Sequence, residues 1–252
     1  VIRGGNMNVL LIVASGKSSR FGGFPKAFCD LGGKTSLAHT IEKSGEIFDK
    51  IYVGVNNQTY EKFHDSTAGC EIFAISTGQG DAHSLLKCLD IIKAKESGLK
   101  KIMVCWGDAI FVDSSPFLWL IKYADTAQVA VACAVDAHPY AWFETDENDR
   151  IIKSHFAREE GNIEYGLHDQ SLFLLDFEFA RQYLDEYRLA LQIPYNNDES
   201  TADINEMRLL YSFEYLKKAG YESAKCVRIP AGKVLSFNTH EELENIKISI
   251  GR

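Results

Sequence analysis

NVLLIVASGKSSRFGGFPKAFCDLGGK, Asn8 to Lys34, is the stretch that decides the fold. It opens on an apolar run, Val9 to Val13, read as a buried strand. It then empties into small residues, Ala14, Ser15, Gly16 and Ser18, with three cations along it, Lys17, Arg20 and Lys26. A strand that runs into a small-residue loop presents several backbone N–H groups in one place. Together with fixed cations, that is how α/β proteins receive phosphate. A lone lysine is normally a solvated surface charge; three cations in one such loop point to an anionic ligand.

Spacing excludes two phosphate-loop classes. A P-loop needs a glycine five residues before its Gly-Lys pair, and Leu11 stands there, inside the strand. A dinucleotide fingerprint needs three glycines, and Ala14 to Phe21 holds one, Gly16.

Outward from this stretch, strand and helix patterns alternate. Helical spacing covers Ser36–Phe48, Gln58–His64, Ala82–Ala94 and Phe117–Ala124. Strand patterns cover Lys50–Val55, Cys70–Ile75, Lys101–Trp106 and Gln128–Val135. The last two are almost wholly apolar, as central strands of a parallel sheet are. The expected class is α/β, a doubly wound, three-layer Rossmann-like fold with a mixed central sheet. After Asp136 the pattern shifts to short strands at Tyr140–Thr145, Arg150–Phe156, Ile163–Tyr165 and Ser171–Leu175, read as a small antiparallel insertion. Helices follow at Phe177–Leu191 and Ile204–Ala219, then a strand at Ala224–Ile229. Thr239 and Glu242 form a capping box for a last helix, Glu241–Ile248. One domain over residues 7–252 is expected, with an acceptor-side insertion at 137–205 and residues 1–6 as a tail or remnant.

Composition narrows the partners. The chain has 252 residues, 46% hydrophobic and 25% charged, and a net charge of −8, an ordinary globular balance. A negative chain has no broad electrostatic footprint for nucleic acid, so an anionic substrate must meet local cations. The six cysteines lack any C-x-x-C pair and read as reduced, mostly buried thiols. No signal peptide or span of about 18 apolar residues is present. The expectation is a soluble, cytoplasmic protein with no membrane partner.

Further motifs stand at the ends of elements. Asp108 closes the strand Lys101–Trp106 after Gly107, and the carboxyl ends of strands are the ligand edge of an α/β sheet. Gln79-Gly80-Asp81 precedes a helix, with Asp81 also suited to cap it; His83 reads as a helix residue rather than a metal ligand. HEELE, from His240, is no zinc helix, because Glu244 stands where a second histidine is needed.

VASGKSSRF followed by Pro25-Lys26 resembles the L-A-A-G-x-G-[ST]-R-[FM] signature and later Pro-Lys of sugar-phosphate nucleotidyltransferases. The likeness is to the uridylyltransferase domain of bacterial N-acetylglucosamine-1-phosphate uridylyltransferases and to related cytidylyltransferases. Ser18 departs from it, standing at the family's second glycine. The resemblance implies the nucleotide-diphospho-sugar transferase fold and a reaction in which an acceptor phosphate attacks the α-phosphorus and pyrophosphate leaves. It implies a triphosphate cradle of Ala14, Ser15, Gly16, Lys17 and Ser18, with Arg20 clamping the β,γ-phosphates and Lys26 on the α-phosphate and acceptor. Gln79, Gly80 and Asp81 would line the nucleobase pocket. Asp108 would hold Mg²⁺, with Asn238 in Ser236-Phe237-Asn238-Thr239 as second ligand.

On the acceptor side the family's Asn-x-Gly segment is missing. Gly166 to Ser171 stands there, making Asp169 and Gln170 candidates, with Asp198 and Glu199 from the polar loop Gln192–Ala202. The implied activity is Mg²⁺-dependent transfer from a nucleoside triphosphate, CTP or UTP, to a phosphorylated metabolite, foremost a sugar 1-phosphate, for surface polysaccharide or capsule synthesis. The alternative is a cytidylyltransferase acting on a phosphocholine-like or amino-acid phosphate. A glycosyltransferase is disfavoured, since Asp108-Ala109-Ile110 lacks the second aspartate of a D-x-D motif. A nucleotide-sugar sensor is disfavoured by the joint presence of Arg20, Lys26 and Asp108. Base, acceptor and oligomeric state stay open.

Overall fold

The computed structural model describes residues 8–16, 18, 21–65, 68–76, 78–124, 126–196, 206–237 and 239–250. The expected alternation is present: β1 (Val9–Ala14), α1 (Ser36–Ser44), β2 (Lys50–Asn56), α2 (Asn57–Phe63), β3 (Glu71–Ile75), α3 (Asp81–Lys95), β4 (Lys101–Trp106), β5 (Ile110–Phe111), α4 (Ser115–Tyr123) and β6 (Val129–Ala137). Then come β7 (Ala141–Thr145), β8 (Ile151–Phe156), α5 (Ala157–Glu160), β9 (Tyr165–Asp176), α6 (Phe177–Ala190), α7 (Leu209–Lys218), β10 (Lys225–Arg228), β11 (Val234–Leu235) and α8 (His240–Ile250). Seven strands form the central sheet in the order β10-β6-β9-β4-β1-β2-β3. Its neighbours pair in parallel except β9, which runs antiparallel to both β4 and β6. β7 with β8, and β5 with β11, make two small antiparallel sheets.

The period of two along β1 sorts its side chains between the faces. Val9, Leu11 and Val13 join a core with Leu85, Leu86 and Leu89 of α3. Leu10 and Ile12 join another with Leu37 of α1 and Phe117 of α4. Both faces being covered is why β1 and β4 are apolar at nearly every position. A third cluster, Phe21, Cys29, Leu31, Ile110, Phe237, Leu243 and Ile246, packs the opening loop against the last helix.

Several elements differ from the sequence reading, among them the short β5, α5 and β11, which it did not foresee. In place of the separate strands expected at Ile163–Tyr165 and Ser171–Leu175 there is one strand, β9, which takes in Tyr165 of the first and all of the second and lies in the central sheet. Ser171 takes a left-handed φ of 53°, and the β6–β9 register shifts between Val131 and Cys133. This bulge breaks the alternation that would have revealed a continuous strand. The helix expected from Ile204 begins at Leu209; residues 201–205 lie outside the described residues. Met207 instead pairs its backbone with the loop before α3, donating to the Gln79 carbonyl at 2.7 Å and accepting from Ala82 N–H at 3.1 Å. Finally, α1 stops at Ser44 rather than Phe48. The capping box of α8 is present: Thr239 N–H donates to Glu242 Oε2 at 3.1 Å and Glu242 N–H to Thr239 Oγ1 at 3.2 Å.

Candidate active site

The parallel strands β1, β4 and β6 deliver their carboxyl ends to one edge of the sheet, where ligands of open α/β sheets bind. Because β9 is antiparallel, its amino-terminal half reaches that same edge.

At the end of β1 the loop begins with Ser15, buried, and Gly16, exposed. Asn56 Nδ2 donates to the Ser15 carbonyl at 3.3 Å, tying loop to β2. Ser18 has φ of 47°, so the serine adopts the left-handed conformation that a glycine would take there. Its carbonyl accepts from Phe21 and Gly23 N–H at 2.8 and 3.0 Å, which closes the turn and drops Phe21 into the third cluster. Lys17, Arg20, Asn238, Asp198 and Glu199 lie outside the described residues.

Pro25, with φ of −65°, then starts a single 3-10 turn, Lys26–Phe28. Ala27 and Phe28 are buried, which fixes the turn and aims Lys26 across the edge. Its Nζ lies 2.9 Å from Asp108 Oδ2 and 5.7 Å from the centre of the Phe237 ring. Asp108 is placed from the other side. A Cβ on Gly107 would sit 2.5 Å from Ala14 Cβ and 3.3 Å from Ala27 Cβ, so only glycine lets the end of β4 approach the end of β1 and the lysine turn. Gly107 N–H donates to the Val13 carbonyl at 2.9 Å. Beyond Asp108, α1 holds the chain: Thr40 Oγ1 donates to the Ala109 carbonyl at 3.1 Å, and His39 Nε2 to the Phe111 carbonyl at 3.0 Å.

The segment expected to line a nucleobase pocket is fixed by α3 and Met207. A Cβ on Gly80, whose φ is 108°, would meet the Met207 carbonyl oxygen at 2.2 Å. Gly80, not Asp81, is the N-cap residue of α3. Asp81 is its first residue, and one carboxylate oxygen accepts from Ala82 N–H at 2.6 Å and from Leu209 N–H at 2.7 Å. It therefore ties the start of α3 to the start of α7. Solvent reaches Asp81, yet protein crowds it; desolvation raises its pKa to about 6 against those two hydrogen bonds. His83 is a buried helix residue, as expected, and its Nδ1 accepts from Gln79 N–H at 3.1 Å. Its Nε2 therefore carries the proton. Burial holds its pKa down at about 4. The Gln79 side-chain amide has both Nε2 and Oε1 out of solvent with no hydrogen-bond partner among the described residues, whereas buried amides are normally paired.

The acceptor candidates Asp169 and Gln170 lie together in β9, and both are buried. The structure adds three residues that sequence reasoning missed. Asp136, from the end of β6, accepts from His168 Nδ1 at 3.1 Å and Gln170 Nε2 at 2.7 Å. His168 Nε2 faces Asp169 Oδ1 at 3.6 Å. Tyr140 donates its hydroxyl to Asp169 Oδ1 at 3.3 Å and meets the His168 ring edge to face at 4.9 Å. Burial works against charge on His168, but the Asp136 hydrogen bond and the charges of Asp169 and Asp136 outweigh it and raise its pKa. The hydrogen bond from His168 lowers that of Asp136. The signal for Asp136 was present in the sequence, since it closes an apolar strand as Asp108 does. Nothing in the sequence signalled Tyr140.

Among the described residues no group of three or more His, Cys, Asp or Glu side chains is placed to hold a metal ion. Mg²⁺ needs less from protein: it takes one or two carboxylates and completes its octahedron with phosphate and water oxygens. Asp108 fits that demand, as a partly exposed carboxylate at the ligand edge. No helix among the described residues is long and apolar enough to cross a membrane.

The chain resembles several solved structures over nearly its whole length. HddC from Yersinia pseudotuberculosis matches with a TM-score of 0.67 at 12% identity, covering 96% of this chain and 99% of its own. The inositol-1-phosphate CTP transferase from T. maritima matches with 0.67 at 16% identity, covering 98% of each chain. The 4-diphosphocytidyl-2C-methyl-D-erythritol synthase from Anaerococcus prevotii DSM 20548 matches with 0.64 at 14% identity, covering 99% of this chain and 100% of its own. At such identities the likeness establishes a shared fold. A search of curated protein sequences gives no match. Residues 10–162, more than half of the chain, match the family model of the MobA-like NTP transferase domain. That span runs from β1 through the Lys26–Asp108 pair to the β7–β8 hairpin, and the chain belongs to the MobA-like NTP transferase domain family.

Proposed function

We propose that this protein is a Mg²⁺-dependent nucleotidyltransferase that transfers a cytidylyl group from CTP to a small phosphorylated metabolite. The observation that carries the reading is the Lys26–Asp108 pair at the ligand edge, beside the opening loop. Bound Mg²⁺ would draw negative charge from the triphosphate, with Asp108 as its protein ligand. Lys26 places its ammonium where the reacting phosphates meet and offsets the charge that builds on their oxygens. Positioning and electrostatics of this kind supply most of the catalysis in phosphoryl chemistry. The cradle residues Ala14, Ser15, Gly16 and Ser18 offer backbone N–H groups to the triphosphate, with the side chains of Lys17 and Arg20 as further cations. Gln79 reads the base edge, since its amide offers both a donor and an acceptor, and Gly80 lets the backbone approach it. Asn238 is the second metal ligand in this reading. CTP is preferred over UTP because two of the structural neighbours are named for cytidylyl chemistry.

Two acceptor classes fit the family, sugar 1-phosphates and non-sugar phosphate esters. The Asp136–His168–Asp169 wall beside Tyr140 favours the second. Pyrophosphate release assayed over CTP, UTP, dTTP and GTP against a panel of phosphate esters tests the reading. A folded, Mg²⁺-supplied protein that releases none with any pair would overturn it.

A further inference from the structure

Phe237 is wholly buried, and its ring meets two parts of the opening loop at once. It packs edge to face on Phe21 at 5.4 Å, where the turn from Ser18 brings that residue down. His240 of α8 covers the same Phe21 ring at 4.0 Å. The centre of the Phe237 ring also lies 5.7 Å from Lys26 Nζ. Pairing on both sides fixes the ring there. Before it, β11 runs antiparallel to β5, with Val234 opposite Phe111 and Leu235 opposite Ile110. Val112 N–H donates to the Lys233 carbonyl at 3.0 Å, and Lys233 Nζ pairs with Asp113 Oδ2 at 2.6 Å. After it, the capping box starts α8, whose Leu243 and Ile246 join the cluster that holds Phe21. β5 opens at Ile110, just beyond Asp108. The ring is thus clasped to the piece of chain that carries Asp108, and from there it reaches Lys26.

Lys26 Nζ therefore has a carboxylate at 2.9 Å and an aromatic ring at 5.7 Å. The 3-10 turn fixes the lysine backbone, but its flexible four-carbon stem leaves the ammonium to be placed by what surrounds it. The two partners differ in kind. A carboxylate offsets the charge that a phosphate needs, and in the reading given above it has a metal to hold. A phenyl ring attracts the ammonium through its quadrupole and carries no net charge. It also offers no oxygen to Mg²⁺. It keeps the ammonium in place without competing for it. The residue type suits that task. A buried tyrosine brings a hydroxyl that needs its own partner, and leucine fills the volume with no quadrupole.

We propose that Phe237 is a positioning residue for nucleotidyl transfer. Its ring holds the Lys26 ammonium where the reacting phosphates meet, and it locks the Phe21 turn of the opening loop to the same point. This rests on the role given to Lys26 above and deepens it.

The test replaces the Phe237 ring, in the full chain, by phenylalanines carrying one, two and three fluorines. Fluorine withdraws negative charge from the ring face while the shape hardly changes. Pyrophosphate release with Mg²⁺ is followed for whichever nucleotide and ester of the panel above react fastest. Each added fluorine is expected to lower kcat/KM, by about threefold to tenfold across the series. A purely structural ring would give a flat series. A second measurement needs no turnover. Urea melts compare Phe237→Leu made in the parent with Phe237→Leu made in Lys26→Met, which keeps the stem and drops the charge. The loss in the folding constant is expected to be about twofold to fivefold greater in the parent. A flat fluorine series in an active protein, or an equal loss in the two backgrounds, overturns the proposal and leaves nucleotidyl transfer standing. A folded parent that releases no pyrophosphate with any pair removes the nucleotidyl-transfer reading and this proposal together.

Discussion

Lys26 Nζ and Asp108 Oδ2 meet at 2.9 Å although 82 positions separate them in the chain. The contact joins the turn after β1 to the end of β4, and Gly107 makes the approach possible. Each charge balances the other across the ligand edge. In the proposed reaction the ammonium would face phosphate and the carboxylate would hold the metal. Lys26→Ala and Asp108→Ala are each expected to lower turnover by about 10²- to 10³-fold, the usual loss for one preorganised electrostatic group. Circular dichroism is expected to show an intact fold in both, and near-normal rates in either would remove that residue from the site.

The glycines make a prediction about stability. Gly107→Ala places a methyl 2.5 Å from Ala14 Cβ, and Gly80→Ala places one 2.2 Å from the Met207 carbonyl oxygen at a φ of 108°. Overpacking of a tight site costs about 1–3 kcal/mol. Gly80→Ala adds backbone strain and is expected to be the worse of the two. Gly16→Ala, where a Cβ would meet nothing within 4 Å, is the folding control. Urea melts ranking Gly80→Ala level with Gly16→Ala would contradict the packing described for the loop before α3.

Ser18 holds a φ of 47° with an L side chain. Glycine there relieves up to about 1 kcal/mol of strain, offset in part by the freer unfolded chain. Ser18→Gly is therefore expected to melt at or above the parent temperature with its activity retained. A β-branched side chain is far less tolerant of positive φ, and Ser18→Val is expected to cost about 1–3 kcal/mol. Equal melting of the two variants would show that the turn does not need this conformation.

His83 makes stability depend on pH. It is buried and neutral, with its pKa pushed from 6.5 to about 4 by desolvation. The unfolded chain binds a proton at higher pH than the folded one, so the contribution of His83 is fully present above pH 6.5 and is lost as pH falls towards 4. The loss comes to about 3 kcal/mol at 1.36 kcal/mol per pKa unit. His83→Gln is expected to flatten this part of the stability curve. A slope between pH 6.5 and 4 that is the same in parent and variant would assign it to other groups.

Much of the site was legible in the chain because its parts sit at element ends. A small-residue loop after an apolar strand, Pro25 before Lys26, and Gly107-Asp108 after another apolar strand each leave a local mark. Asp136 left the same mark as Asp108 but stands where the pattern changes, and the break drew the reading away from it. β9 was divided in two because the Ser171 bulge interrupts the period of two on which strand reading depends. The start of α7 was misread because Met207 satisfies its backbone against Gln79 and Ala82, partners more than 120 positions away.

The sequence by itself determined the layer architecture and the chain order of the apolar strands β1, β2, β3, β4 and β6, and it marked the small-residue loop after β1 as the candidate phosphate loop. These follow from periodicity and composition over a few neighbouring residues, which are local properties. Tertiary structure alone decided that β9 lies between β4 and β6, that Lys26 faces Asp108, that Asp81 ties α3 to α7, and that Tyr140 stands on Asp169 and His168. Each of these depends on which backbone groups and charges find partners once the sheet has assembled. That pairing is a property of the packed chain, because an unpaired buried group costs as much wherever in the sequence its partner stands.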